Sequence, residues 1–149
     1  MVKQIVYRSK ATLEITPEII GDILAVAQQN NTRFAVTGLL LYGDGIFMQV
    51  LEGSPESTDE IYARIRHDPR HCDVRDIYTG YADSRAYPDW QMACRPLLPP
   101  KRPGEDVFQR ATDILDQFEG ARPVDIGSFM KSFSTTVMPP PKPDKSTFN

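Results

Sequence analysis

The 149-residue chain has only two cysteines, Cys72 and Cys94, one tryptophan and two histidines. The cysteines show no C-x-x-C or Cys/His spacing, so neither a disulfide framework nor a structural zinc site is supported. His67 and His71 straddle Pro69 with no third ligand in view, whereas catalytic zinc normally takes three protein ligands. No apolar run approaches the roughly 20 residues that span a bilayer. The chain opens M-V-K-Q-I-V, which reads directly as a strand. There is no G-x-G-x-x-G, P-loop, G-x-S-x-G or H-E-x-x-H. A net charge of −3 and a pI near 5.4 argue against nucleic acid or an anionic membrane as main partner. What is left is a cytoplasmic protein of one domain, or of a core with a C-terminal extension.

Thr37 to Gly53 is the densest stretch of what is present, T-G-L-L-L-Y-G-D-G-I-F-M-Q-V-L-E-G. Asp-Gly between apolar runs is a strong hairpin signal and predicts strands over 35–42 and 46–52. Val2 to Ser9 alternates as a first strand. Thr16-Pro17 supplies an N-cap and a first-turn proline, and Ile19, Ile20, Ile23, Leu24 and Ala27 follow at helical spacing. Gln28 to Asn31 reads as the end of that helix. Ser54-Pro55 repeats the signal for a second helix, with Ile61, Tyr62 and Ile65 as its apolar stripe, ending before Pro69. Val74 to Tyr81 reads as a fourth strand and Trp90 to Cys94 as a short fifth.

The order βαββαββ predicts an α+β, ferredoxin-like fold with a mixed sheet and two helices on one face. Strands one and three are expected side by side and parallel, with Tyr7 and Gln49 on the same, helix-covered face. Met48 and Val50 point to the other face, which needs a cover. Val107, Phe108, Ala111, Ile114, Leu115 and Phe118 supply an amphipathic helix for it, after a proline-rich link from Pro96 to Pro103. A weaker, shorter element is expected around Ile126 to Phe133. The tail from Pro139 is too poor in apolar residues to order itself.

Gln49 is the anomaly, an amide in the middle of an apolar strand. A buried amide without partners costs a few kcal/mol, so something polar should meet it. Tyr7 on the neighbouring strand is the obvious partner. Asn30 and Asn31 offer a donor and an acceptor side by side, suited to a uracil-like edge, though an Asn also serves as a helix C-cap. Arg64, Arg66 and Arg70, with His71, gather at the end of the second helix, where they suit phosphate or simply complement the helix dipole. Trp90 and Met92 share a face and read as core. Asp44 and Glu52 have no facing acid, so no carboxylate pair is supported. Spacing alone yields a polar pocket between two helices over a Tyr/Gln floor, and no reaction.

Five stretches together resemble the BLUF family of flavin-based blue-light sensors. They are I-V-Y-R-S at 5–9, N-N-T-R-F-A-V-T-G-L-L-L-Y at 30–42, F-M-Q-V-L-E-G at 47–53, R-I-R-H-D-P-R-H at 64–71 and Y-P-D-W-Q-M at 87–92. The resemblance implies a FAD-binding domain over 1–95, a C-terminal helical extension over 96–138 and a flexible tail over 139–149. It implies noncovalent FAD between the two helices, with Asn31 on the pyrimidine edge, Gln49 on the N5/C4=O side, Tyr7 bonded to Gln49 and Ile23 packed on the ring. Arg64, Asp68 and Arg70, with His71 beside them, fall at the ribityl and phosphate part. Asn30 stands where some members have His. Tyr7 and Gln49 become the photoactive pair, and Trp90 and Met92 the route outward. The implied activity is light sensing rather than catalysis, with no effector domain attached. Output then goes through the C-terminal region to a signalling partner or a homo-oligomer. The alternatives are an acylphosphatase-like phosphate-handling enzyme and a light-insensitive flavin protein.

Overall fold

The computed structural model describes residues 1–99, 102–117 and 124–134. Alternating side chains build strand β1 over Val2–Ala11, and Thr16 then starts helix α1, Pro17–Phe34. Its hydroxyl accepts from Ile19 N at 3.3 Å, satisfying one of the amides that a helix start leaves bare. Thr16→Ala should therefore lower stability by about 1 kcal/mol, read from the urea midpoint. The helix runs a turn beyond the expected Asn30-Asn31 end. Ala35 closes it in a left-handed conformation, φ 55°, and its N–H reaches Asn31 O and Thr32 O. Both asparagines thus sit inside the last turns rather than beyond them.

Strands β2, Thr37–Gly43, and β3, Ile46–Gly53, form the expected hairpin. Its two-residue loop puts Asp44 at φ 50° and Gly45 at φ 79°, as a turn matched to strand twist requires. Helix α2 covers Pro55–Arg66, capped by Ser54, and strands β4, His71–Ala82, and β5, Ala93–Pro96, follow. Helices α3, Val107–Asp116, and α4, Ile126–Lys131, end the described chain.

The sheet order is β4-β1-β3-β2-β5. β1 and β3 are neighbours, as expected, but they run antiparallel. The crossover through α1 makes β1 and β2 parallel with one gap between them. The hairpin then inserts β3 into that gap against both. Only β2 and β5 pair in parallel. The register sets Tyr7 opposite Gln49.

Two apolar layers result. Under α1 and α2 lie Ile5, Tyr7, Leu40, Phe47, Leu51 and Ile61. On the far face Val6, Leu41, Met48 and Val50 meet Ala111 of α3, as the stripe beginning at Val107 predicts. The short element expected to be weak contributes more to that face than α3 does. Ile126, Phe129, Met130 and Phe133 are all buried, whereas α3 buries only Ala111. Phe118 and the tail from Pro139 fall outside the described residues. Because β1 and β3 are covered on both sides, Gln4–Ser9 and Phe47–Gly53 are buried without a break.

Candidate functional site

A cavity opens between α1 and α2, with β1 and β3 as its floor. Parity carries Tyr7 and Gln49 into it, since both lie on the helix-covered face at paired register positions. Ile23, Asn30 and Asn31 reach it from α1, Arg64 from α2, and Asp68, Arg70 and His71 from the turn into β4. Met92 closes the far end. Every residue proposed for the cofactor from the sequence lines this one space.

The Tyr7 phenol donates to Gln49 Oε1 in a short, buried hydrogen bond. Burial, and then the neighbouring Tyr62 and Asp68, push the phenol's pKa far above its ordinary value, so Tyr7 is a donor at any physiological pH. Gln49 turns its amide nitrogen toward Met92 Sδ, 3.2 Å away. The Tyr7 ring also lies 5.2 Å from that of Tyr62, whose hydroxyl donates to Asp76.

At the α1 side Asn31 spends its amide N–H on Gln91 O at 2.6 Å. Gln28, three residues earlier on the same helix face, donates to Met92 O at 3.1 Å. Its role went unread in the sequence, although helical spacing from Asn31 is the signal that would have found it. At the other side Arg70 forks onto Asp68, with Nη2–Oδ2 at 2.6 Å, and Arg64 bonds Glu60 and stacks on Phe34 at 4.9 Å. Arg70 lowers the Asp68 carboxyl through that hydrogen bond, against the effect of burial. His71 has both ring nitrogens engaged, Nε2 by Ile65 O at 2.5 Å and Nδ1 by Ser9 Oγ at 2.7 Å, so its carbon edge is what the cavity meets. Arg66 points elsewhere, to Asp76 and Tyr62.

Trp90 and Met92 do not share a face. Residues 90–92 precede β5, so strand alternation does not govern them. Met92 is buried toward the cavity, while Trp90 packs on the far-face core beside Tyr87 at 5.2 Å. Met92 is therefore the inward one of the two. Among the described residues no cluster of metal-binding side chains occurs.

An apolar slot over a ferredoxin-like sheet, lined by amides and arginines, has the layout of a flavin-binding sensor. A family profile described as BLUF, sensors of blue-light using FAD, matches residues 2–93. The chain belongs to the BLUF family, the blue-light sensors that use FAD. It is 33% identical to photoactivated adenylate cyclase subunit beta of Euglena longa over 76% of this chain and 14% of that protein. It is 31% identical to the blue light- and temperature-regulated antirepressor BluF of Escherichia coli K12, over 76% of this chain and 28% of that protein. The chain thus spans about a seventh to a quarter of these curated relatives. Among solved structures, the dark state of BlrB, a BLUF protein, superposes with a TM-score of 0.62 at 30% identity, over 64% of this chain and 72% of that one. With the family established, the acylphosphatase-like alternative falls away.

The lining residues suit FAD. Asn31 lines the cavity with only its amide nitrogen bonded to Gln91, Ile23, Val26, Ala27 and Leu40 give it apolar walls, and Arg64 and Arg70 line it as well. Among the described residues no helix is long and apolar enough to cross a membrane.

Proposed function

We propose that the chain senses blue light through one amide, that of Gln49, and that Tyr7 drives its change. The carrying observation is the buried chain of contacts from the Tyr7 hydroxyl to Gln49 Oε1 and from Gln49 Nε2 to Met92 Sδ. Bound FAD supplies the absorption of blue light and, once excited, a one-electron oxidant. Tyr7 is placed to give that oxidant an electron and, through Gln49, its phenolic proton, and to take both back afterwards, so that only the amide's arrangement remains changed. An amide has nearly the same shape whichever way its oxygen and nitrogen face, so Gln49 fits its pocket in two arrangements. In the second, its oxygen faces Met92 and its nitrogen faces Tyr7. The sulfur then loses its donor and the phenol its acceptor. A local hydrogen-bond change of this kind biases a two-state element.

In this reading Asn30 and Asn31 hold the pyrimidine edge, Ile23 packs on the ring, and Arg64, Asp68 and Arg70 hold the ribityl and phosphate part, with His71 as a wall. Signal leaves through the segment carrying Met92 and Trp90 to α3 and α4, and from there to a partner protein or a second copy of the chain. The test is the absorption spectrum before and after blue light. A reversible red shift of the flavin band supports the reading, and a yellow protein with no shift refutes it. Arg70→Ala should weaken FAD binding about tenfold, measured by equilibrium dialysis in the dark, because one charge-assisted phosphate contact is lost.

A further inference from the structure

Glu52 is wholly buried on β3 and lies on the side opposite Gln49, three residues away. Its carboxylate accepts three hydrogen bonds of 2.8 Å, from Gln4 Nε2, Ala86 N and Tyr87 N. Among the described residues no lysine or arginine forms an ion pair with it. A buried carboxylate with no cation is expensive to keep, and hydrogen bonds to the ionised form are what can sustain it. Two of its three donors are successive backbone amides of one segment, the link between β4 and β5.

That link has no ladder of its own. Arg85 donates to Ala35 O at 2.7 Å and to Thr37 Oγ1 at 3.0 Å. Gly38 N donates to Trp90 O at 2.9 Å. Asn31 and Gln28 hold the carbonyls of Gln91 and Met92. Between the Glu52 clasp and Met92 the chain folds into a compact turn, with Trp90 N on Tyr87 O at 3.4 Å and the two rings packed together. The start of the turn is therefore one of the anchors that set where Met92 sits.

We propose that Glu52 is a positioning residue of the light response, its carboxylate fixing Ala86 and Tyr87 so that Met92 Sδ sits beside Gln49. The proposal rests on the reading of Gln49 as the switch, but its central claim is about the dark arrangement and is tested without light. Glu52→Gln keeps the side-chain volume, loses an acceptor oxygen and turns an NH2 group toward the segment's own donors.

The experiment exposes the full chain, as purified and in the dark, to dilute hydrogen peroxide and follows each methionine's conversion to sulfoxide by peptide mass spectrometry. Met92 should oxidise at least about fivefold faster in Glu52→Gln than in wild type, because local opening exposes it. Met48 and Met130, both 0% exposed, are the internal controls and should not change. If all three rise together, Glu52 acts only on global stability and the proposal is overturned. If none rises, Met92 does not depend on Glu52 and the proposal is equally overturned. Should the variant fail to fold, hydrogen exchange on the wild type decides. The Ala86 and Tyr87 amides should be protected like sheet amides, and exchange at exposed-loop rates would refute the clasp. A missing blue-light shift in wild type would refute the switch reading while leaving the peroxide result intact.

Discussion

Tyr7→Phe should leave the chain able to bind FAD but blind to blue light, with the red shift absent from its light-minus-dark spectrum. The substitution removes one oxygen and leaves the ring to pack on Tyr62 as before. Two consequences follow from that oxygen. Gln49 Oε1 loses its donor, and a buried acceptor left bare costs about 1–3 kcal/mol. The site also loses the phenol, the group that can release an electron and a proton together. A shift of wild-type size in the variant would refute the role given to Tyr7. The response should also be flat with pH where Tyr7 is concerned. Its raised pKa ties the folded state to the protonated phenol, so that contribution is full below the ordinary value near 10 and weakens only above it.

Asp106→Ala should destabilise the chain by about 2 kcal/mol by urea unfolding, a lost N-cap plus part of a half-exposed ion pair. Arg8 is wholly buried on β1, immediately after Tyr7 but facing the other way. It bonds Asp73 through its backbone oxygen at 2.8 Å, and Asp106 through Nε at 3.0 Å and a short second contact from Nη2. Asp106 is also the N-cap of α3, accepting from Phe108 N at 2.9 Å. Its removal strips the cap and leaves the Arg8 guanidinium half-compensated. Asp106→Asn separates the two, since Asn caps as well as Asp but carries no charge. The pair also has a pH signature. Burial pushes the Asp106 carboxyl up, but the Arg8 hydrogen bond and charge outweigh it and the net shift is downward. A lowered folded value means stability that is present above the ordinary pKa near 3.8 and is lost as pH falls through the folded one. Circular dichroism should therefore be flat from neutrality down to that range, and acid loss of the α3 contact should begin only below it.

How much of this could be read from residues alone depends on whether the signal was periodic. The Asp44-Gly45 turn set the register of β2 against β3, and period-two alternation then put Tyr7 and Gln49 on one face. The helical stripe beginning at Val107 identified the far-face cover. Strand direction was misjudged between β1 and β3, because a crossover and a hairpin must be followed together to see that β3 fills a gap between parallel strands. Trp90 and Met92 were wrongly assigned a common face, since the turn before β5 has no alternation to obey. The importance of α4 was underestimated because six residues are too few for a helical period, although Phe129, Met130 and Phe133 fill the core. For Glu52, spacing says only that no facing acid makes it one of a carboxylate pair. Its partners are backbone amides 34 and 35 positions away, which no sequence pattern marks.

Strand β3 shows what burial on both sides implies for change. From Phe47 to Gly53 every residue is buried, and odd and even positions serve different compartments, Gln49 facing the cavity while Met48 faces the helices beyond and Glu52 the link between β4 and β5. A slip of one residue would exchange them, placing a thioether where the amide belongs and a carboxylate among the cavity's apolar walls. The strand has no solvent-facing position at which insertions or deletions could be absorbed, so the fold can accept them only at the Asp44-Gly45 turn and in the segments outside the sheet.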